Sequence, residues 1–305
     1  MNCVKILCLV VTHNGAETVR ETLQSILRQS VPPSKILLID NASTDNTIGI
    51  VRSLNVQNLE ISILEENAGV GRAFNLGIEA AAKQGFGWLW IFDQDTICQE
   101  DCLESLLYAG NMLDEPAKPV GALFPSAKSK SYPEVTLLPY HWNGKNFIHA
   151  SGGHSEDPYL QIHSSISSGG LYKVDVLRQT GGFREDYFID FVDHDYHLKL
   201  HQAGYQMFWV KPATILHELG EAKKTQNGEI LFIHNPFRYY YMGRNMTNGY
   251  WRLGGAVSVL IFWKDAWQQV KRFKKAGLLP QHAIRYFLRG VLDAFRNKFG
   301  ALNKH

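Results

Sequence analysis

Residues 88–103, Trp88-Leu-Trp-Ile-Phe-Asp93-Gln-Asp95-Thr-Ile-Cys-Gln-Glu-Asp-Cys-Leu103, decide how the chain is read. An unbroken apolar run ends abruptly in two aspartates one residue apart. Such a run fits a buried strand, and in an open α/β sheet ligands bind just beyond the carboxyl ends of the strands. Carboxylates emerging there are placed to hold a hard cation and a phosphate-bearing ligand. The competing reading is a solvated turn with its acids in water, because Asp-x-Asp alone discriminates poorly.

The chain upstream supports the first reading. Lys5 to Val11 is a continuous apolar run ending in Thr12-His13-Asn14-Gly15. A helix is predicted from about Glu17, with Val19, Leu23, Ile26 and Leu27 on one face, stopping before Pro32-Pro33. Lys35 to Ile39 reads as a second strand ending in Asp40-Asn41, and Ser43 or Thr44 can cap the helix after it. Glu60 to Leu64 makes a third strand ending in Glu65-Glu66-Asn67; Val70 to Gln84 is then helical, with Phe74, Ile78 and Ala81 or Ala82 inward. Strands and helices alternating in this way predict βαβ units and a parallel sheet with right-handed crossovers. Thr12 to Asn14, Asp40-Asn41, Asn67-Ala68-Gly69 and Asp93 to Asp95 would then meet along one rim, where a nucleotide belongs. Singly, each is also explained by a turn or a helix cap.

Ala68-Gly69-Val70-Gly71-Arg72-Ala73-Phe74 fails as a dinucleotide fingerprint. Phe74 replaces the third glycine, and the segment follows the third strand rather than the first. A glycine-flanked helix start with Arg72 in its first turn can still contact a phosphate through backbone N–H groups and the guanidinium. A surface arginine is the alternative.

With 305 residues, 45% hydrophobic and 20% charged, the chain can build a sizeable core. The net charge of +2 gives no global attraction to nucleic acid, although basic residues gather late, from Lys271-Arg272-Phe273-Lys274-Lys275 onwards. Cys3, Cys8, Cys98 and Cys102 lack zinc-type spacing and read as small buried residues in a reducing compartment. Met1 to Val11 leads directly into a strand without a small-residue cleavage site, so no signal peptide is expected and a cytoplasmic location follows. The longest apolar stretch, Leu253 to Trp263, covers 11 residues, against the ~20 a spanning helix needs.

From Ser126 to His163 the pattern loosens, and an irregular insertion is expected. His141, His149, His154 and His163 lack metal-ligand spacing and read as surface or ordinary hydrogen-bonded histidines. Ser164 to Lys173 enters a short strand, followed by a helix around Val174 to Gln179. Phe183 to Leu200 is rich in acids and aromatics, with Asp193 at the start of a helix closed by Gly204. Asp193 could be an N-cap, or a general base whose proton affinity is raised by Asp190 and Asp195 nearby. Tyr205 to Val210 is another strand, leading through Pro212 to His217, which is either a core histidine or a nitrogen ligand for the metal at Asp95. Beyond Phe237 the chain turns helical, basic and aromatic. That pattern fits either a helix lying on an anionic membrane surface or a packing appendage with a solvated basic face.

The ordered set Val11-Thr-His-Asn14, Ile39-Asp-Asn-Ala-Ser-Thr-Asp45, Glu66-Asn-Ala-Gly-Val-Gly-Arg-Ala-Phe-Asn75, Phe92-Asp-Gln-Asp95, Gly182-Phe183, Phe188-Ile-Asp-Phe-Val-Asp193 and His217 resembles family 2 glycosyltransferases. With Arg238-Tyr-Tyr-Tyr-Met-Gly-Arg-Asn245 it looks most like their bacterial rhamnosyltransferase branch, and the likeness spans residues 4 to about 245. The resemblance implies an α/β, GT-A type, Rossmann-like and mostly parallel sheet flanked by helices. Residues 1–245 would form the transferase domain, with 1–125 the nucleotide-sugar half and 126–245 the acceptor half, and 246–305 a helical appendage. It further implies inverting transfer of L-rhamnose from dTDP-L-rhamnose to a bacterial surface polysaccharide acceptor, lipid-linked or free.

On that resemblance Thr12, Asn14, Asp40 and Asn67 would hold the nucleoside side of the donor and Arg72 the diphosphate. Asp93, Asp95 and His217 would hold Mg²⁺ or Mn²⁺. Asp193 matches the family's general base, although Val192 stands where the family carries a second acid, so Asp195 stays open as the alternative. The acceptor and sugar pocket is assigned to Asp190, Asp195, Gly169 and Gly170. Membrane-surface contact through the C-terminal helices and a homo-oligomer are compatible with this reading; nucleic acid is not expected. A UDP- or GDP-sugar donor is the nearest alternative. A glycan-binding module without turnover is a second, and it accords poorly with Asp93, Asp95 and Asp193 together. A sugar nucleotidyltransferase lacks its glycine-rich basic loop after the first strand, where His13-Asn14-Gly15-Ala16 stands.

Overall fold

The apolar runs of the first half become the middle of one sheet. A computed structural model describes residues 5–150 and 157–302; the expectations for Cys3 and His154 lie outside these residues. The first elements are β1 (Ile6–Thr12), α1 (Val19–Leu27), β2 (Lys35–Asp40), α2 (Thr47–Ser53), β3 (Leu59–Ile63), α3 (Val70–Lys83) and β4 (Trp88–Asp93). β1 is fully buried and pairs in parallel with β2 and β4, which sets Thr12 beside Asp40 and Val11 beside Asp93. The predicted rim therefore exists. Leu27 departs from expectation: Val19, Leu23 and Ile26 fill the inward stripe of α1, and Leu27 falls beyond it into solvent.

The second half adds β5 (Ile97–Cys98), α4 (Cys102–Leu113), β6 (Val120–Ser129), β7 (Thr136–Leu137), β8 (Tyr140–Trp142), β9 (Phe147–His149), β10 (Tyr159–Ile162), β11 (Leu171–Lys173), α5 (Val174–Gln179), α6 (Val192–Gln202), β12 (Gln206–His217), β13 (Glu221–Lys224) and β14 (Ile230–Ile233). The main path of the sheet runs β10-β12-β6-β11-β4-β1-β2-β3, mostly parallel, with β11 antiparallel between β4 and β6. The stretch expected to be irregular is more ordered than its sequence suggests. Its start completes β6, β8 and β9 form a hairpin, and β10 is an edge strand on β12. The strand predicted at Tyr205 to Val210 continues through Pro212. Proline has no N–H to donate, and the register against β6 shifts between Val210 and Thr214, a bulge that absorbs it. That extension lets Leu216 pair with Ile97 and brings His217 alongside the Asp95 loop.

The chain closes with α7 (Arg238–Tyr241), a π-helical turn at Met242–Met246, α8 (Thr247–Lys275) and α9 (Ala283–Phe295). Apolar side chains cover both faces of the sheet, and Tyr250, Val259 and Phe262 of α8 join one of these layers. No helix among the described residues is long and apolar enough to cross a membrane.

Candidate active site

The two aspartates of the opening stretch meet His217. One potential ligand atom from each of Asp93, Asp95 and His217 lies within 4.8 Å of the others. Asp95 Oδ1 is buried without a hydrogen bond, and His217 Nδ1 is 3.5 Å away. A buried carboxylate oxygen met only by an imidazole at 3.5 Å, with no hydrogen bond, has room for a further positive partner, so the donor set fits a divalent cation. Burial raises the Asp93 carboxyl to about 6; His217 and Arg238 oppose the rise, and Asp95 and Asp193 reinforce it. Burial would lower His217, yet the carboxylates of Asp95, Asp93 and Glu218 outweigh it and hold the imidazole above its ordinary value. Thr96 and Ser168, which the sequence did not single out, frame the cluster. Thr96 Oγ1 bonds His217 Nδ1 at 2.8 Å and Ser168 Oγ at 2.6 Å, and Ser168 Oγ accepts the Asp93 N–H at 3.0 Å.

The acidic segment before α6 is strained. Phe188, Asp190 and Phe191 all have left-handed backbones, with φ of 67°, 64° and 66°. Side chains other than glycine pay steric energy there and persist only when held. The holders are Arg244 and Asn245 of the π-helical turn, a class of turn frequent at functional sites. Asn245 Nδ2 donates to the carbonyls of Tyr187 (2.9 Å), Ile189 (2.7 Å) and Asp190 (2.8 Å). Arg244, 1% exposed, donates to the Tyr187 and Gly300 carbonyls and to Asn245 Oδ1.

The three acids of this segment have different partners. Asp190 receives Arg238 at 2.5 and 3.3 Å, and the buried Asp195 receives Arg252 at 2.6 Å. Asp193 has no ion-pair partner among the described residues; its Oδ1 accepts the N–H of His194. This corrects two expectations. Asp193 lies inside the first turn of α6 rather than capping it, the cap position being Phe191. Nor are three bare carboxylates left to repel one another, since arginines far away in sequence neutralise the outer two. Asp190 and Asp195, expected in the sugar pocket, are each engaged by an arginine.

Gly169 and Gly170, expected in the sugar pocket, are explained by packing. Both are buried and continue the β4 pairing through Ile91, and a Cβ on Gly169 would meet Pro125 and Ile215. Aromatic rings instead border Asp193: Tyr140 stacks on His149 at 4.8 Å, and His194 lies 5.3 Å from Tyr140 and 5.1 Å from Phe147. Tyr140 is raised by burial and by Asp193. His163 accepts the Trp142 N–H and stacks on His201, and burial depresses it to about 4, an ordinary hydrogen-bonded histidine as expected.

At the rim, Thr12 Oγ1 donates to Asp40 Oδ1 at 2.7 Å, and Asp40 also accepts the N–H and hydroxyl of Ser43. Asn14 Oδ1 accepts the Thr44 N–H at 2.8 Å, and Asn67 Oδ1 accepts that of Gly69 at 3.0 Å. Thr12, Asn14 and Asp40 come together by bonding one another's loops, whereas Asn67 bonds only within its own loop. Asn41, expected at this rim but given no role of its own, is buried there, and its Oδ1 has no hydrogen-bond partner. Gln94, which the sequence did not single out within the Asp93 to Asp95 stretch, bonds both the N–H and the carbonyl of His13. Arg72 pairs with Glu185 at 3.3 Å and Glu79 at 3.8 Å, while the Phe188 carbonyl takes the Val70 N–H at the start of α3.

A family model described as "Glycosyl transferase family 2" matches residues 8–179, more than half of the chain. Over 192 residues the chain is 28% identical to the dTDP-rhamnosyl transferase RfbF of Shigella flexneri, a match covering 62% of this chain. It spans 62% of that relative's own length. Among solved structures it resembles the mannosyltransferase PcManGT from Pyrobaculum calidifontis in complex with GDP-Man and Mn²⁺, with TM-score 0.59 and 15% identity over 97% of this chain and 88% of that one. It also resembles S. aureus TarS 1–349 in complex with UDP-GlcNAc, with TM-score 0.58 and 16% identity over 96% and 81% of the two chains. Both likenesses concern the fold.

Proposed function

The chain belongs to glycosyl transferase family 2, and from that membership we propose that it moves L-rhamnose from dTDP-L-rhamnose to a hydroxyl of a bacterial surface polysaccharide, inverting the anomeric carbon. The donor rests on likeness to a dTDP-rhamnosyl transferase. The observation that carries the mechanism is the solitary Asp193. Of the three acids before and in α6 it alone has no arginine partner among the described residues, and its charge is felt by Asp93 across the site.

Asp193 is then the general base. Its carboxylate takes the proton of the acceptor hydroxyl as that oxygen bonds the sugar's C1 from the face opposite the nucleotide. The C1–O bond to the diphosphate breaks, and its electron pair leaves with dTDP. Asp93, Asp95 and His217 would hold Mg²⁺ or Mn²⁺, which when bound neutralises negative charge on the departing diphosphate. Thr12, Asn14, Asp40 and Asn67 organise the nucleoside rim, with Asn41 Oδ1 a free acceptor for a base N–H; Arg72 borders the diphosphate. The rings around Asp193 give the acceptor sugar apolar faces to lie on. Residues 1–245 would carry this chemistry, with 246–305 fixing the acceptor half from outside.

Calorimetric titration of dTDP, UDP and GDP with and without Mn²⁺, on wild type and Asp95→Ala, tests the donor site. Mn²⁺-dependent binding of dTDP, lost in the variant, is expected. Preference for UDP or GDP would overturn the sugar, and metal-independent binding would overturn the role of the Asp93, Asp95 and His217 cluster.

A further inference from the structure

The two sides of α9 differ. Its inner side is built for close backbone contact: a Cβ on Gly290 would collide with the Tyr240 carbonyl, and one on Gly243 with the Phe287 carbonyl. Asp293, the sole acid of the helix, is buried there and accepts the Tyr240 hydroxyl at 3.0 Å. The outer side carries Ile284, Leu288, Leu292 and Phe295, spaced on one helical stripe and all exposed, Leu288 and Leu292 at 55% and Phe295 at 58%. Arg285, Arg289 and Arg296, each one position later, form a second row that flanks this stripe about 100° round the helix, all exposed. Leucines and arginines together line an open groove of about 740 Å³.

The apolar stripe does not end with the helix. Phe295 meets Trp263 of α8 edge to face at 6.0 Å, and one helical face there presents Leu260, Lys264, Trp267 and Lys271. Leu260 and Trp267 are exposed. Lys264, Lys271, Arg285 and Arg296 have no ion-pair partner among the described residues. Apolar side chains ringed by unpaired cations match a surface that is apolar within and negative without.

We propose that α9 and the middle of α8 dock this chain on an anionic lipid bilayer, lying in the headgroup region with the leucine stripe inserted and the arginines on lipid phosphates. Charge selects this occupant over a second copy, since two such faces brought together would set arginine against arginine. The inner face of α9 grips the turn that carries Arg244 and Asn245, so a docked helix would set the orientation of the Asp193 loop relative to the membrane. The proposal is independent of which donor the enzyme uses.

Sedimentation of the full chain with phosphatidylglycerol/phosphatidylethanolamine vesicles, against phosphatidylcholine vesicles, is the test. Binding to the anionic vesicles alone, weakened by salt, is expected. Leu288→Glu with Leu292→Glu should abolish it. Arg285→Ala with Arg296→Ala should weaken it on the order of twentyfold, about fivefold for each basic side chain. Unchanged melting temperatures would certify both variants as folded. Absent binding, equal binding to both vesicle types, or binding untouched by either variant would overturn the proposal. So would a dimer in light scattering that the leucine variant splits, which would give the face to a second copy.

Discussion

Replacing Asn245 by alanine should disable the base without touching it. The Asn245 amide spreads two N–H groups over three carbonyls at 2.7–2.9 Å, worth roughly 2–3 kcal/mol together at about 1 kcal/mol per net hydrogen bond. Against it stand three left-handed non-glycine residues, which cost about 1–2 kcal/mol each. Strain and clamp are of similar size, so the segment relaxes once the amide is gone. Arg244 still holds the Tyr187 carbonyl but nothing nearer Asp193. Displacement of a reacting group by about 1 Å can cost on the order of a hundredfold in rate. Steady-state kinetics should therefore show kcat down about a hundredfold, donor KM little changed, and a melting temperature lower by a few degrees. Asn245→Asp should fare no better, because it sets a carboxylate against the same carbonyls. An alanine variant that keeps wild-type kcat would refute the idea that this turn positions the base.

Asp193→Asn should lower kcat by roughly 10²–10⁴ while calorimetry finds nucleotide binding intact, as expected when a base is lost and the donor site is not. Asp93 supplies a pH test with a definite sign. Burial raises its carboxyl to about 6, so the metal-free fold is favoured with Asp93 protonated and loses that advantage as pH rises through about 6. Metal-free Asp93→Asn should accordingly melt higher than wild type at pH 7.5, with the gap closing as pH falls from 6 towards 4; a gap independent of pH would contradict the burial argument. Gly69→Ala places a Cβ 2.5 Å from the Phe188 carbonyl at a φ of 83°, and should cost about 2 kcal/mol or more in denaturant unfolding and depress kcat as Phe188 shifts. Chelation by EDTA should abolish turnover and Mn²⁺ should restore it, whereas activity surviving exhaustive chelation would count against the cluster as a metal site.

The first half of the molecule was readable because its physics is local. Runs such as Lys5 to Val11 and Trp88 to Phe92 can only be strands covered on both faces, and the polar residues that end them must gather at the carboxyl rim. The second half depends on partners distant in sequence. Arg238 reaches back 48 residues to Asp190 and Arg252 57 residues to Asp195, and no spacing rule announces such pairs. Left-handed backbone at Phe188 and Phe191 has no compositional signature either, since aromatic side chains ordinarily avoid it, and the aspartate at 190 tolerates it without announcing it. Pro212 looked like the end of a strand because the bulge that accommodates it is a property of the neighbouring β6, not of the proline. The family resemblance puts Gly169 and Gly170 in a pocket, whereas Pro125 and Ile215 fill the space beside Gly169.

Repulsion among neighbouring acids is one way to make a base, and the proposed base, Asp193, does not rest on it. Three bare carboxylates would share a proton and blur which of them accepts the next. Here each outer acid is neutralised by its own arginine: Arg238 at the start of α7 takes Asp190, and Arg252 in α8 takes Asp195. The central acid is left without an arginine, its Oδ1 meeting only the His194 N–H. A carboxylate singled out in this way depends on residues that touch no substrate. The run from Arg238 to Asn245 therefore has one job with two parts: its first residue silences Asp190, and its last two hold the strained carbonyls that aim Asp193. Gly243 within it lets α9 press against the back of the turn. Loss of α9 packing should consequently be felt at the base before it is felt at the nucleotide rim, because Thr12, Asp40 and Asp93 of the rim are carried by the paired strands β1, β2 and β4.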